Sequence, residues 1–163
     1  MQYCLGLEVW RDSSQTFLSQ GKYAKSLLTK FKMDECKSAF ASLQLNKKLQ
    51  VGDGSKYVDA TLYRQLVGSL IYLTTMRQDL ASAVSVLSQF MTRPHENHWI
   101  AAKGVLRYLQ GPSDFGILYS DSFDVSLTGY TDSDWAGNLD DRRSITGYAF
   151  SIGSRAISWS RKK

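Results

Sequence analysis

Cysteine, proline and histidine are scarce in this chain of 163 residues, with two of each. Two thiols, Cys4 and Cys36, cannot build a disulfide framework, and without histidine at ligand spacing they make no zinc site. Reduced thiols in a cytosolic or nuclear protein are the expectation. Two prolines and twelve glycines are too few for a linker or a fibrous repeat. Long apolar runs are absent too. The longest candidate, Leu66 to Leu73, is broken by Gly68 and Ser69, well short of the roughly 18 residues a membrane helix needs. Glu8 interrupts the first apolar stretch and no small-residue cleavage site follows, so no signal peptide is expected. No membrane partner is expected either. There is no Gly-x-Ser-x-Gly elbow and no Gly-x-x-x-x-Gly-Lys phosphate loop.

What is present is a globular composition. Hydrophobic residues make up 43% and charged residues 21%, which excludes the low-hydrophobicity profile of a disordered chain. The net charge of +5 is uneven. Lys22, Lys25, Lys30, Lys32, Lys37, Lys47 and Lys48 face only Asp34 and Glu35 between positions 21 and 50. From 121 to 141 there are six aspartates and no Lys or Arg. The chain turns basic again at Arg142, Arg143, Arg155, Arg161, Lys162 and Lys163. A polyanion-binding surface and a solvated, salt-bridged surface are equally good readings of this charge. Arg142 and Arg143 can sit over a phosphate backbone or simply neutralise Asp140 and Asp141.

Periodicity predicts an α+β fold. Tyr3 to Val9 alternates as one strand, and Thr16 to Ser19 returns as its hairpin partner. A helix is predicted from Lys22 to about Phe31, with Tyr23, Leu27, Leu28 and Phe31 inward and lysines outward. Positions 34 to 58 lack a period. Three helices follow. One starts after Asp59 as N-cap and runs to about Thr74. One starts after Asp79 as N-cap, with Leu80, Val84, Leu87 and Phe90 inward. One runs from near His95 to a glycine cap at Gly111, with Trp99, Ala102, Val105, Leu106 and Leu109 inward. His95 and His98 at i, i+3 lack a third ligand, so capping and surface polarity outweigh a metal pair. Strands are predicted at 116–119, 126–132, 147–152 and 155–160, the last two joined across Gly153-Ser154. The shift from helix to strand near 114 places a boundary between 1–114 and 115–163.

Several long motifs carry a resemblance. They are Leu62-Tyr-Arg-Gln-Leu-Val-Gly-Ser-Leu-Ile-Tyr-Leu-Thr74, then Gly129-Tyr-Thr-Asp-Ser-Asp-Trp-Ala-Gly137, and Asp140-Asp-Arg-Arg-Ser144 with Thr146-Gly-Tyr148. Ser88-Gln-Phe-Met91, Val105-Leu-Arg-Tyr-Leu109, Ile157-Ser-Trp-Ser160 and Leu5-Gly-Leu-Glu-Val9 join them in order. Together they resemble the Pol polyprotein of copia-type LTR retrotransposons, over nearly the whole chain. The chain departs from the family pattern at Arg77-Gln78-Asp79, where Arg-Pro-Asp is usual, and at Cys36-Lys37-Ser38, where Cys-Lys-Pro is usual.

The resemblance implies the C-terminal part of a reverse transcriptase running into ribonuclease H. Residues 1–114 would be a hairpin plus a helical thumb and connection region. Residues 115–163 would be the opening strands of a truncated ribonuclease H-like antiparallel sheet. The polymerase Tyr-x-Asp-Asp motif is expected to lie outside this chain. Asp132 matches the family's first ribonuclease H aspartate, the catalytic and metal-binding position, here incomplete. By charge pattern alone, Asp132 and Asp134 read as a solvated turn. Two-metal hydrolysis needs about four carboxylates, so the chain alone is expected to be non-catalytic, with no cofactor, although the intact family enzyme uses Mg2+. Lys22, Lys25, Arg142 and Arg143 are the expected nucleic-acid contacts, with an RNA–DNA hybrid as partner. The alternative is a nucleic-acid-binding or protein-interaction module, such as an effector, derived from a retrotransposon fragment. Tyr148, Phe150 and Trp159 would form an uncovered apolar face, through which the chain is expected to self-associate.

Overall fold

The structure is a computed structural model. It describes residues 2–43, 49–51, 54–111, 115–120, 124–134, 144–153 and 155–162, with backbone only at 134 and 162. The chain begins with three antiparallel strands, β1 (Gln2–Cys4), β2 (Leu7–Arg11) and β3 (Gln15–Ser19). The single strand expected from Tyr3 to Val9 is therefore a hairpin. Leu5 and Gly6 turn the chain with φ of 50° and 79°, the paired positive values of a tight two-residue hairpin turn. An apolar residue in the turn kept the alternation unbroken in sequence and hid the reversal.

Helix α1 (Gly21–Lys30) follows, with Ala24, Leu27 and Leu28 buried and Tyr23 and Phe31 packed beside them. Helix α2 (Ala60–Leu73) is capped as expected. The Asp59 carboxylate accepts from the N–H groups of Thr61 and Leu62, donors that an uncapped helix start leaves unpaired. A 3₁₀ turn over Gln78–Leu80 leads into α3 (Ala81–Ser88). Asp79 does not cap α3. Its carboxylate is taken by the Arg77 guanidinium, a stronger donor than a backbone N–H. Helix α4 (Glu96–Gln110) ends at Gly111, whose φ of −73° is not the left-handed glycine cap. Its N–H instead bonds the Tyr108 carbonyl.

Leucine is prominent in the core these helices share. Leu66, Leu70, Leu73, Leu80, Leu87, Leu106 and Leu109 are fully buried around Tyr63, whose hydroxyl donates to the Leu87 carbonyl at 2.9 Å. Burial raises the Tyr63 phenol pKa. Helix α1 closes the cluster against α4, with Phe31 edge-on to Trp99.

Strand β4 (Gly116–Ser120) corrects the expected grouping of strands. It pairs antiparallel with β3, Ser19 opposite Gly116 and Thr16 opposite Tyr119, and completes a four-stranded sheet in the order β1-β2-β3-β4. Gly116 has no room for a Cβ, which would run into the Leu18 carbonyl and the Phe17 ring. A second sheet holds β5 (Leu127–Asp134), β6 (Ile145–Ile152) and β7 (Arg155–Lys162), antiparallel in that order. Gly153, with φ of 57°, turns β6 into β7, and Ser154 lies outside the described residues.

The two faces of the second sheet differ. Tyr130, Ala149 and Trp159 form one cross-strand row, and Gly129, Phe150 and Ser158 another on the opposite face. The apolar trio expected on one face is therefore split. Trp159 faces the helices and donates to the Thr74 carbonyl at 2.8 Å. Tyr148 and Phe150 face away, their rings 5.5 Å apart. No helix among the described residues is long and apolar enough to cross a membrane.

Candidate functional site

Asp132, Gly147 and Arg161 share one row across β5, β6 and β7, so their positions lie on the face that meets the helices. The Asp132 carboxylate stands 3.6 Å from Arg161 Nη1 and its side chain is 72% exposed. Both residues line a cleft of about 230 Å³ that also holds Gln78, Tyr130 and Trp159. A carboxylate this exposed gains little from one cation in high dielectric.

The described side chains around Asp132 do not fit a magnesium pair. Two divalent ions need several converging carboxylates. Among the described residues no group of three His, Cys, Asp or Glu side chains converges. Among the described residues the charged group that meets Asp132 is the Arg161 guanidinium, which repels a metal ion.

Lys22 and Lys25 occupy the exposed face of α1, a different part of the molecule, since α1 packs on β2 and α4. Lys22 Nζ lies 5.4 Å from the Tyr3 ring centroid and 3.7 Å from Glu8 Oε1. In the sequence Glu8 stood only as a break in an apolar stretch and as part of a motif. It is only 4% exposed, and its Oε2 accepts from the Lys22 N–H at 2.8 Å. A carboxylate from β2 thus caps the start of α1, where the helix dipole favours negative charge. Ser19 Oγ takes the next orphan donor, the Gly21 N–H, at 3.0 Å. Arg142 and Arg143 lie outside the described residues.

The two histidines are internal rather than surface groups. His98 is fully buried, stacked on Phe90 with ring centroids 3.9 Å apart. Its Nδ1 accepts from the His95 N–H at 2.9 Å and caps α4, as expected from the sequence. Its Nε2 meets the Gln50 carbonyl at 3.1 Å, and His95 Nδ1 meets the Ser55 carbonyl at 2.9 Å. The pair ties the irregular segment before α2 to the start of α4.

A second buried charge also escaped the sequence reading. Arg77 is 3% exposed and binds both oxygens of Asp79, at 2.9 and 2.7 Å. The Tyr108 hydroxyl donates to the same carboxylate at 2.9 Å, and the Phe115 ring lies 5.4 Å from the guanidinium. Burial alone would raise the Asp79 pKa. The Arg77 bonds and charge, aided by Tyr108, outweigh it and hold the carboxyl below its usual range. The only sequence signal was the triplet Arg77-Gln78-Asp79, noted as a departure.

Comparison with known proteins gives relatives along the whole chain. The chain is 43% identical over all 163 of its residues to the retrovirus-related Pol polyprotein from transposon RE2 of Arabidopsis thaliana, and covers 11% of it. It is 36% identical, again over its full length, to an uncharacterized mitochondrial protein of Arabidopsis thaliana, covering 68% of that protein. It is 45% identical over 102 residues, 62% of the chain, to secreted RxLR effector protein 161 of Plasmopara viticola, of which it covers 72%. The chain thus spans about a tenth of the transposon polyprotein it matches. No family model matches, and no solved structure matches.

Proposed function

We propose that this chain, similar end to end to retrovirus-related Pol polyproteins of transposons, is the stretch where a copia-type reverse transcriptase runs into its ribonuclease H. The observation that carries this reading is the end-to-end match to a transposon polyprotein at 43% identity. In this reading β1 to β3 and α1 form a platform for an RNA–DNA hybrid. Lys22 and Lys25 contact phosphates, with Tyr3 holding the Lys22 ammonium over its ring. In this reading the segment handles nucleic acid and does no chemistry alone; among the described residues Asp132 is met by Arg161 and no second carboxylate converges with it.

Fluorescence anisotropy of a labelled RNA–DNA hybrid over a salt series tests this. The wild-type chain should bind, with affinity falling steeply as salt rises, and Lys22→Glu with Lys25→Glu should weaken binding at every salt concentration. Absence of binding at low salt overturns the reading. Hydrolysis of the hybrid with magnesium or manganese, lost in Asp132→Asn, overturns the non-catalytic part. A protein-interaction role is the second reading, favoured by the exposed Tyr148 and Phe150 rings.

A further inference from the structure

We propose that the cleft between the two sheets, at Arg11, Thr16, Tyr119 and Arg155, is a phosphate site that takes the backbone of a bound nucleic acid; this rests on the nucleic-acid reading above. The cleft has a volume of about 170 Å³ and is also lined by Asp12, Ser13 and Ser14. Its geometry follows from register. Arg11 pairs with Thr16 across β2 and β3, and Thr16 with Tyr119 across β3 and β4. Directly opposed residues share a sheet face, so these three form one row. The Tyr119 hydroxyl donates to the Ala156 carbonyl at 2.9 Å, which fastens the start of β7, and so Arg155, to the end of that row.

Arg155 gives the cleft its chemistry. Its Nε and Nη2 are buried and have no hydrogen-bond partner among the described residues. Buried polar groups are nearly always paired, and a guanidinium presents a planar fork suited to two oxygens of a phosphate. Two carboxylates stand near, Asp12 in the lining of the cleft itself and Asp124 beside Arg155, and both accept from neighbouring backbone N–H groups. Asp12 Oδ1 accepts from the Ser14 and Gln15 N–H groups at 2.8 and 2.7 Å. Asp124, close enough to respond to the Arg155 charge, accepts from the Ser126 N–H at 2.9 Å. Arg11 and Arg155 thus stand in one cleft with Ser13, Thr16 and Ser120, and among the described residues neither acid hydrogen-bonds Nε or Nη2 of Arg155. Two oxygens of a phosphate match the planar fork of such a donor set. The site lies where the two sheets meet, so a backbone lying across it would bridge them.

The test has two arms on the full chain. In the first, thermal unfolding is followed in inorganic phosphate and in chloride at matched ionic strength. Phosphate should raise the midpoint of the wild type, and Arg155→Gln should remove the rise. In the second, hybrid binding is measured against salt. Arg155→Gln should lower the slope of log K against log salt by about 0.9, one phosphate contact. Arg11→Gln, at an exposed strand end, reads out the same site if Arg155→Gln fails to fold. Hybrid binding with an unchanged slope in both variants overturns the proposal and leaves the nucleic-acid reading standing. Phosphate protection without any hybrid binding supports the anion site and overturns the nucleic-acid reading. No protection and no slope change removes the site altogether.

Discussion

Trp159 Nε1 donates to the Thr74 carbonyl across 2.8 Å, joining β7 to the residue that caps the C-terminus of α2. That carbonyl is one of the last four of a helix, which have no partner inside it. The indole therefore satisfies an orphan acceptor and anchors the second sheet on the helices. Trp159→Phe keeps most of the packing and removes the bond. Urea unfolding should show a loss of about 1 kcal/mol. An unchanged midpoint would mean that the sheet is held by other contacts.

Asp79 should make stability depend on acid. Its folded pKa is depressed, so its contribution is fully present above the ordinary carboxylate pKa and is lost as pH falls through the folded value. Asp79→Asn leaves the Arg77 charge buried beside a neutral amide. At pH 7 the variant should be less stable by about 2–3 kcal/mol. Chemical denaturation from pH 7 to pH 3 should show the two proteins converging in the acid range. A difference that stays constant with pH would show that the carboxylate charge is not what matters.

His98 should control the order of the segment before α2. Replacing it by leucine keeps the volume but leaves the His95 N–H and the Gln50 carbonyl without their imidazole partners. The expected cost is about 2 kcal/mol. Limited proteolysis should then cut within 49–58 earlier than in the wild type. Cleavage that begins inside α2 instead would contradict the assignment of that segment as the weak point.

The outward face of the second sheet should promote association. Tyr148 is 42% exposed and Phe150 37%, with the Phe150 ring lying against Gly129. Exposed aromatic pairs of this kind favour contact with another apolar surface. Light scattering should show concentration-dependent association of the wild type that Tyr148→Ser with Phe150→Ser reduces. A monomeric wild type that binds no hydrophobic dye would sink the idea.

Local signals carried much of the fold. The Asp59 cap, the apolar period of α2 and α4, and the paired β6 and β7 around Gly153 were all legible, because each depends on residues a few positions apart. Lys22 and Lys25 were legible as an exposed basic face for the same reason. The opening turn was missed because Leu5 carries a positive φ without a polar turn signature. The N-cap expected at Asp79 failed because Arg77, two residues away, competes for the carboxylate.

What no local pattern could specify were the pairings across long stretches of chain. Only tertiary structure set β4 beside β3, brought the Glu8 carboxylate to the start of α1, and turned Trp159 to Thr74 while Tyr148 faced away. The sequence by itself determined the helices and most of the strands, where the positive charge gathers, and which family motifs the chain carries. Tertiary structure decided which charges meet: Arg161 at Asp132, Arg77 at Asp79, and Arg155 between the sheets with Nε and Nη2 unbonded among the described residues. The physical reason is that helix and turn preferences are written in neighbouring side chains. A buried ion pair or an unpaired guanidinium depends on which distant surfaces the core draws together.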